Sequence, residues 1–174
     1  MMNYFELYEL PVSFHSDKDL VKKKFYELSK QYHPDRFSFA DERAQQEALQ
    51  MAALNNAGYK TLSNAEATMH YILKMKGVVE DEEKYNLPPD FLMEMMELNE
   101  AISDYEKEED EKKKQLVIDS WQELMHYLNE ETEALTSEYD KTGNEQLLTR
   151  IKDMYFRKKY LLRIQERINT FAAH

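Results

Sequence analysis

Three short groups of residues in this sequence have types and spacings from which chemistry or recognition could be built. The first is Tyr32-His33-Pro34-Asp35-Arg36, which sets an imidazole, a carboxylate and a guanidinium within four positions. Pro34 disfavours helical geometry at His33 and ends the preceding helix, so His33 and Asp35 stand in solvent, where a partner's cationic and polar groups can bond them. The second is Glu123-x-x-His126, the spacing used by di-iron helix bundles. Such a site needs two of these motifs and two further Glu. No second Glu-x-x-His exists, so the pair reads as structural or solvated. The third, Glu66 and His70, is most simply an i, i+4 surface contact. His15 and His174 offer no paired metal spacing, and the absence of cysteine excludes disulfides and thiolate metal sites. No Gly-rich phosphate loop, nucleophile elbow or Walker sequence is present. The expectation is a chain with no catalytic residue, metal or cofactor, whose polar groups serve recognition.

The elements that position these groups are helices. Three Gly and four Pro among 174 residues leave no room for a turn-rich β protein. A first helix is predicted from Asn3 to Leu10, stopped by Pro11. Ser16-Asp17-Lys18-Asp19 resembles a capping box and opens a second, whose Val21, Phe25, Leu28 and Tyr32 recur at helical spacing. Asp35 to Phe39 is expected as loop. A third helix runs from about Asp41 to Leu62, with Ala44, Ala48, Met51, Asn55, Tyr59 and Leu62 on one side. A fourth, Ala65 to Lys76, is capped by Ser63-Asn64 and ended by Gly77. Residues 77–89 break the periodicity and are read as a linker. Three more helices follow, Asp90 to about Lys107, Asp110 to about Tyr139 and Asn144 to about Ala172, enough for an antiparallel three-helix bundle.

Charge divides at the same place. Residues 1–76 hold 10 basic and 10 acidic side chains, whereas residues 77–174 hold 13 and 24, which accounts for the whole net charge of -11. Phosphate backbones would repel so acidic a half, so protein partners are expected and nucleic acid is not. No stretch approaches the roughly 20 apolar residues of a membrane span, and Met1-Met2-Asn3-Tyr4-Phe5-Glu6 has neither a basic region nor an apolar signal core. A cytoplasmic protein with no membrane partner is expected.

A tripeptide His33-Pro34-Asp35 between an amphipathic helix and a long one, with Asn56-Ala57-Gly58-Tyr59-Lys60-Thr61-Leu62 closing the latter, resembles the J-domain family over residues 1–76. Gly58, Ala65 and Thr68 stand where that family usually has Ala, Pro and Arg. The resemblance implies that His33, Pro34, Asp35 and Arg36, with Lys22, Lys23, Lys24 and Lys30 on the second helix, bind a heat-shock chaperone and stimulate its ATPase. Cations on that helix would steer it to an acidic groove, an effect that weakens with salt.

On a wheel of roughly 100° per residue, Phe91, Met95, Leu98, Ile102 and Tyr105 share one line and form the core face. Leu92, Met93, Met96, Glu97 and Glu100 fall on the outer face, where a bundle helix needs no apolar residue. In the last helix Leu147, Ile151, Met154 and Leu162 mark the core stripe, and Phe156, opposite Leu147, is predicted to be an exposed aromatic. Exposed apolar residues among charges compose a protein-binding patch. Val117, Trp121, Leu124, Leu128 and Leu135 read as core of the middle helix, and Glu106 to Lys114 as a solvated segment.

The segment from Phe91 to Glu100, with Met96 where Leu is usual, resembles the scaffold-binding helix of the HscB family, the J-domain co-chaperones of iron–sulfur cluster assembly. That resemblance implies an all-α protein: a J-domain helical hairpin with flanking short helices (1–76), a linker (77–89) and a C-terminal three-helix scaffold-binding bundle (90–174). It also implies that Leu92, Met93, Met96, Glu97, Glu100 and Phe156 bind an IscU-like iron–sulfur scaffold, delivered to an HscA- or DnaK-like chaperone. A general J-protein for unfolded clients and a di-iron carboxylate enzyme remain the alternatives.

Overall fold

Capping chemistry decides where most of the helices begin. Asn3, Asp17, Asp41, Asn64 and Asp110 each have extended backbone and a side-chain oxygen that accepts amide N–H groups of the following turn. In the computed structural model, which describes residues 2–172, they open α1 (Tyr4–Leu7), α2 (Lys18–Gln31), α3 (Glu42–Leu62), α4 (Ala65–Met75) and α6 (Glu111–Thr142). Two prolines start α5 (Pro89–Lys107), and α7 spans Leu147–Ala172. The described residues are all helix, turn and loop, in two compact units that meet at Gly77 and Val78.

In the first unit α2 and α3 form an antiparallel hairpin. The Lys18 ammonium bonds the Ser63 carbonyl near one end, and Phe25 stacks on Tyr59 with centroids 4.2 Å apart further along. The hairpin is locked by Asn55, only 1% exposed. Its carbonyl Oδ1 accepts the Tyr8 hydroxyl at 2.8 Å, while its Nδ2 donates to the Phe25 carbonyl and the Ser29 hydroxyl, both at 3.1 Å. A buried amide so fully paired joins the Tyr8 segment, α2 and α3 in one polar knot. Burial, with a smaller effect from Tyr59, pushes the Tyr8 phenol far above its ordinary range.

α1 is shorter than expected, because the chain turns before Pro11. Glu9 takes φ 54°, and the Leu10 amide donates back to the Phe5 carbonyl at 2.9 Å. The cap of α2 is Asp17 rather than Ser16, since its carboxylate reaches the amides of both Asp19 and Leu20. Within the expected loop, Pro34–Phe37 form one 3-10 turn. The departures at 58 and 68 have packing reasons. A Cβ on Gly58 would lie 3.3 Å from the Tyr4 ring, which itself stacks on Tyr71 at 4.6 Å. Thr68 is buried and bonds the Thr61 carbonyl.

In the second unit α6 runs antiparallel to α5 and α7, and Gly143 at φ 64° makes the turn that a side chain would strain. The inner line of α5 is as expected: Phe91, Met95, Leu98, Ile102 and Tyr105 are all buried. Trp121 of α6 is half-buried and donates its indole N–H to the Leu161 carbonyl at 2.8 Å.

Two expectations are corrected here. The core line of α7 starts on Leu148, with Leu147 and Leu162 only half-buried, and continues through Ile151, Met154, Leu161, Ile164, Ile168 and Phe171. Met154, Leu161 and Ile168 repeat every seven residues, and a straight wheel drifts about 20° per such repeat, which carries Leu162 off the line. The residues read as a linker, from Val78 onward, are packed on α7. Lys152 donates to the Val78 carbonyl at 2.8 Å and to Glu83 at 2.7 Å, and Tyr85 lies flat on Phe156 with centroids 4.6 Å apart. Phe156 is therefore half-buried, not exposed, because Tyr85 covers it.

Candidate functional site

The residues picked out from the sequence form two surfaces, one in each unit. In the first, α2 ends at Gln31 and the chain turns so that His33, Pro34, Asp35 and Arg36 are all exposed. His33 caps the 3-10 turn: its backbone is extended (φ -61°, ψ 134°) and its Nδ1 accepts the Asp35 amide at 3.3 Å. Pro34, at the first position of that turn, has no N–H to leave unpaired. The Asp35 Oδ2 is 3.6 Å from the same nitrogen and its side chain is 91% exposed. Nearly all of the carboxylate's hydrogen-bonding capacity faces outward, available to a cationic partner.

Lys22, Tyr26 and Lys30 follow one ridge of α2 at helical spacing, and His33 lies just past its end. Tyr26, Ser29, Lys30, His33 and Arg36 enclose a shallow hollow beside the tripeptide. Lys23 is exposed at the side of this ridge, whereas Lys24 points away, in an ion pair with Glu9. Its inclusion among outward cations is corrected: the positive φ at Glu9 brings that carboxylate to it. Tyr26, 53% exposed, joins this surface, and its signal in the sequence is an aromatic four residues from both Lys22 and Lys30 on a polar ridge.

The second surface is the outer side of α5. Leu92 is 40% exposed, and Met93 and Met96 are each 63% exposed, with Glu97 and Glu100 exposed beside them. Phe156, grouped with them from the sequence, is on α7 beneath Tyr85. Around it α7 carries a tight polar set. Asp153 accepts the Tyr85 hydroxyl at 2.7 Å and the Arg157 Nε at 2.6 Å, and Arg157 in turn lies 5.1 Å over the Phe91 ring. Burial and the hydrogen bond to Asp153 push the Tyr85 phenol up to about 12.

Glu123 and His126 are exposed on α6, and His126 faces Glu130 at 3.3 Å. Among the described residues no group of three or more His, Asp or Glu is arranged to hold a metal ion, and no helix is long and apolar enough to cross a membrane. His174 lies outside the described residues.

The chain and its fold have relatives among known proteins. Residues 87–169 match the family model of the HSCB C-terminal oligomerisation domain. The chain is 42% identical over 102 residues to the co-chaperone protein HscB homolog of Vibrio cholerae, and 40% identical over 104 residues to that of Vibrio atlanticus. Those alignments cover 58% and 59% of this chain and span 60% and 61% of the relatives' length. The whole fold is similar to the solved structure of chaperone HscB from Vibrio cholerae, with a TM-score of 0.67 and 26% identity over 99% of this chain and 98% of the other. It also has the fold of human co-chaperone protein HscB, at a TM-score of 0.70 and 22% identity, covering 99% of this chain and 83% of that one. Domain model, aligned sequence and all-helical architecture agree: the chain is similar to the HscB co-chaperones, and its residues 87–169 match their C-terminal domain.

Proposed function

We propose that this chain is a non-enzymatic adaptor that holds an IscU-like iron–sulfur scaffold on its second unit and presents it to an HscA- or DnaK-like chaperone. The first unit triggers that chaperone's ATP hydrolysis, and cluster transfer follows in the cytoplasm. One observation carries the reading. The outer side of α5 exposes Leu92, Met93 and Met96 while the five inner residues of the same helix are buried. Burying three such side chains on a partner is worth several kcal/mol before the costs of association, and a helix with its own core complete has no other use for them.

Supporting the chaperone half, His33 and Asp35 are exposed at the end of a ridge bearing Lys22, Tyr26 and Lys30, a polar and cationic surface suited to an acidic groove. Residues 78–88, held on α7, belong with the scaffold-binding unit. The test is a titration of the scaffold into the full chain, followed by a chaperone ATPase assay with all three proteins. Met93→Ala with Met96→Ala should abolish scaffold binding and leave scaffold-independent ATPase stimulation intact. His33→Gln should do the reverse. A chain that binds neither protein defeats the reading.

A further inference from the structure

Most of the cations along α7 have a carboxylate. Arg150 pairs with Glu131, Lys152 with Glu83, Arg157 with Asp153 and Arg167 with Glu106. Lys159 and Arg163, four residues apart and both exposed, do not: among the described residues no carboxylate lies within ion-pair distance of either. In a half-chain with 24 acids against 13 bases, two adjacent unmatched cations stand out. Each lies over an aromatic ring instead. The Lys159 ammonium is 5.4 Å from the centroid of Tyr155 and 5.9 Å from that of Phe156, and the Arg163 guanidinium is 5.5 Å from that of Tyr160. A ring face holds a cation in place without neutralising it.

These cations border the exposed apolar side of α5. Arg167 bonds Asn99 at 3.4 Å and Glu106 at 2.7 Å, so the edge of α5 that carries Leu92, Met96 and Asn99 faces α7. At the other end Phe91 meets Tyr160 edge-on at 6.1 Å. Tyr160, Arg163 and Arg167 follow the opposing edge of α7, which brings Leu92 and Met96 alongside Tyr160 and Arg163. The recess bounded by Tyr160, Arg163, Ile164 and Arg167 is about 260 Å³. That is below the usual range for a small-molecule site and suits a side chain.

We infer that this α5–α7 groove receives an acidic amphipathic segment of the scaffold, its apolar side chains on Leu92 and Met96 and its carboxylates on Arg163 and Lys159. Charge complementarity selects that occupant, because the groove combines an apolar floor with cations that the rest of the acidic unit leaves unmatched. The inference rests on the adaptor reading and adds to it the chemistry of the partner's contacting segment and two residues that recognise it.

The experiment is calorimetric titration of the scaffold into the full chain at several salt concentrations, with sedimentation of the chain alone. Lys159→Glu with Arg163→Glu should weaken binding by about tenfold or more and flatten its salt dependence. Arg163→Lys should retain most of the affinity. Lys107→Glu with Lys112→Glu, the same charge change on exposed residues elsewhere in the unit, should match the unaltered chain; circular dichroism checks folding. If the unaltered chain binds and the Lys159/Arg163 reversal binds equally well, the inference is overturned and the adaptor reading stands. Equal weakening by the control pair overturns it too, as does a self-association that this reversal abolishes, which would make a second copy the occupant. Failure of the unaltered chain to bind the scaffold overturns both.

Discussion

The Nδ1 nitrogen of His33 accepts the backbone N–H of Asp35 at 3.3 Å, so the first member of the tripeptide sets the backbone of the third. In a neutral imidazole the nitrogen that accepts carries no proton, and the ring's N–H is then the Nε2 one. The turn thus presents an N–H donor and a carboxylate acceptor together, held by an internal bond and the fixed φ of Pro34.

Replacing His33 by Gln removes the ring donor and weakens the cap. Stimulation of the partner chaperone should fall at least about tenfold, the scale of losing a charged or well-placed hydrogen bond at an interface, while the first unit loses about 1 kcal/mol or less. Single-turnover ATP hydrolysis by the chaperone and thermal unfolding of the variant measure the two effects. Undiminished stimulation would show that the tripeptide is an ordinary turn.

Asn55→Ala should damage the first unit far more than its size implies. The change removes the amide's three bonds, to the Tyr8 hydroxyl, the Phe25 carbonyl and the Ser29 hydroxyl, and leaves the Tyr8 hydroxyl only the backbone carbonyl of residue 55, at 3.0 Å, in a site closed to water. A loss of about 2–4 kcal/mol is expected, read from urea unfolding and from amide exchange in α3. A loss below about 1 kcal/mol would mean that water replaces the amide.

Tyr85 ties residues 78–88 to α7 through a ring stack and a hydroxyl. Tyr85→Phe keeps the stack and should cost about 1 kcal/mol, whereas Tyr85→Ala uncovers Phe156 and should raise amide exchange across 78–88. Because the folded phenol titrates near 12 against an ordinary value of 10.0, its contribution is complete below pH 10 and disappears as pH rises towards 12. Tyr85→Phe should flatten the alkaline fall in stability, and absorbance at tyrosinate wavelengths should show one late-ionising phenol lost.

Met93→Ala with Met96→Ala removes the most exposed apolar groups of α5. Stability should change by no more than about 0.5 kcal/mol per site, since neither side chain belongs to the core. Scaffold affinity should fall by at least about a hundredfold, measured by calorimetry. A stability loss that matches the affinity loss would turn the patch into part of the fold.

What could be read from the sequence depended on periodicity. All five inner residues of α5 obey a wheel, and so do the exposed Leu92, Met93 and Met96, because a helix packed on one side only is a periodic object. The His33-Pro34-Asp35 turn was legible because proline acts locally. Contacts made by aperiodic chain were not. Nothing in the order of Glu83 and Tyr85 announces that Lys152 and Phe156, some seventy residues later, will hold them. Lys24 was misplaced for a related reason, since its partner Glu9 is delivered by one left-handed residue in a loop. Lys159 and Arg163 stand in the sequence as cations among aromatics, in Tyr155-Phe156-Arg157-Lys158-Lys159-Tyr160-Leu161-Leu162-Arg163. Their meaning emerged only once their neighbours were seen to be paired.

Gly58 has a further implication. A glycine inside a 21-residue helix costs roughly 1 kcal/mol relative to alanine, yet here the missing methyl is the space into which the Tyr4 ring edges. α1 has four residues and cannot persist alone, so it is held by its packing: Phe5 and Leu7 are buried, and the Tyr4 ring is clasped between α3 and Tyr71. Positions 4 and 58 are therefore coupled in volume: a methyl at 58 obliges the Tyr4 ring to yield by a few tenths of an ångström, and α1 with it.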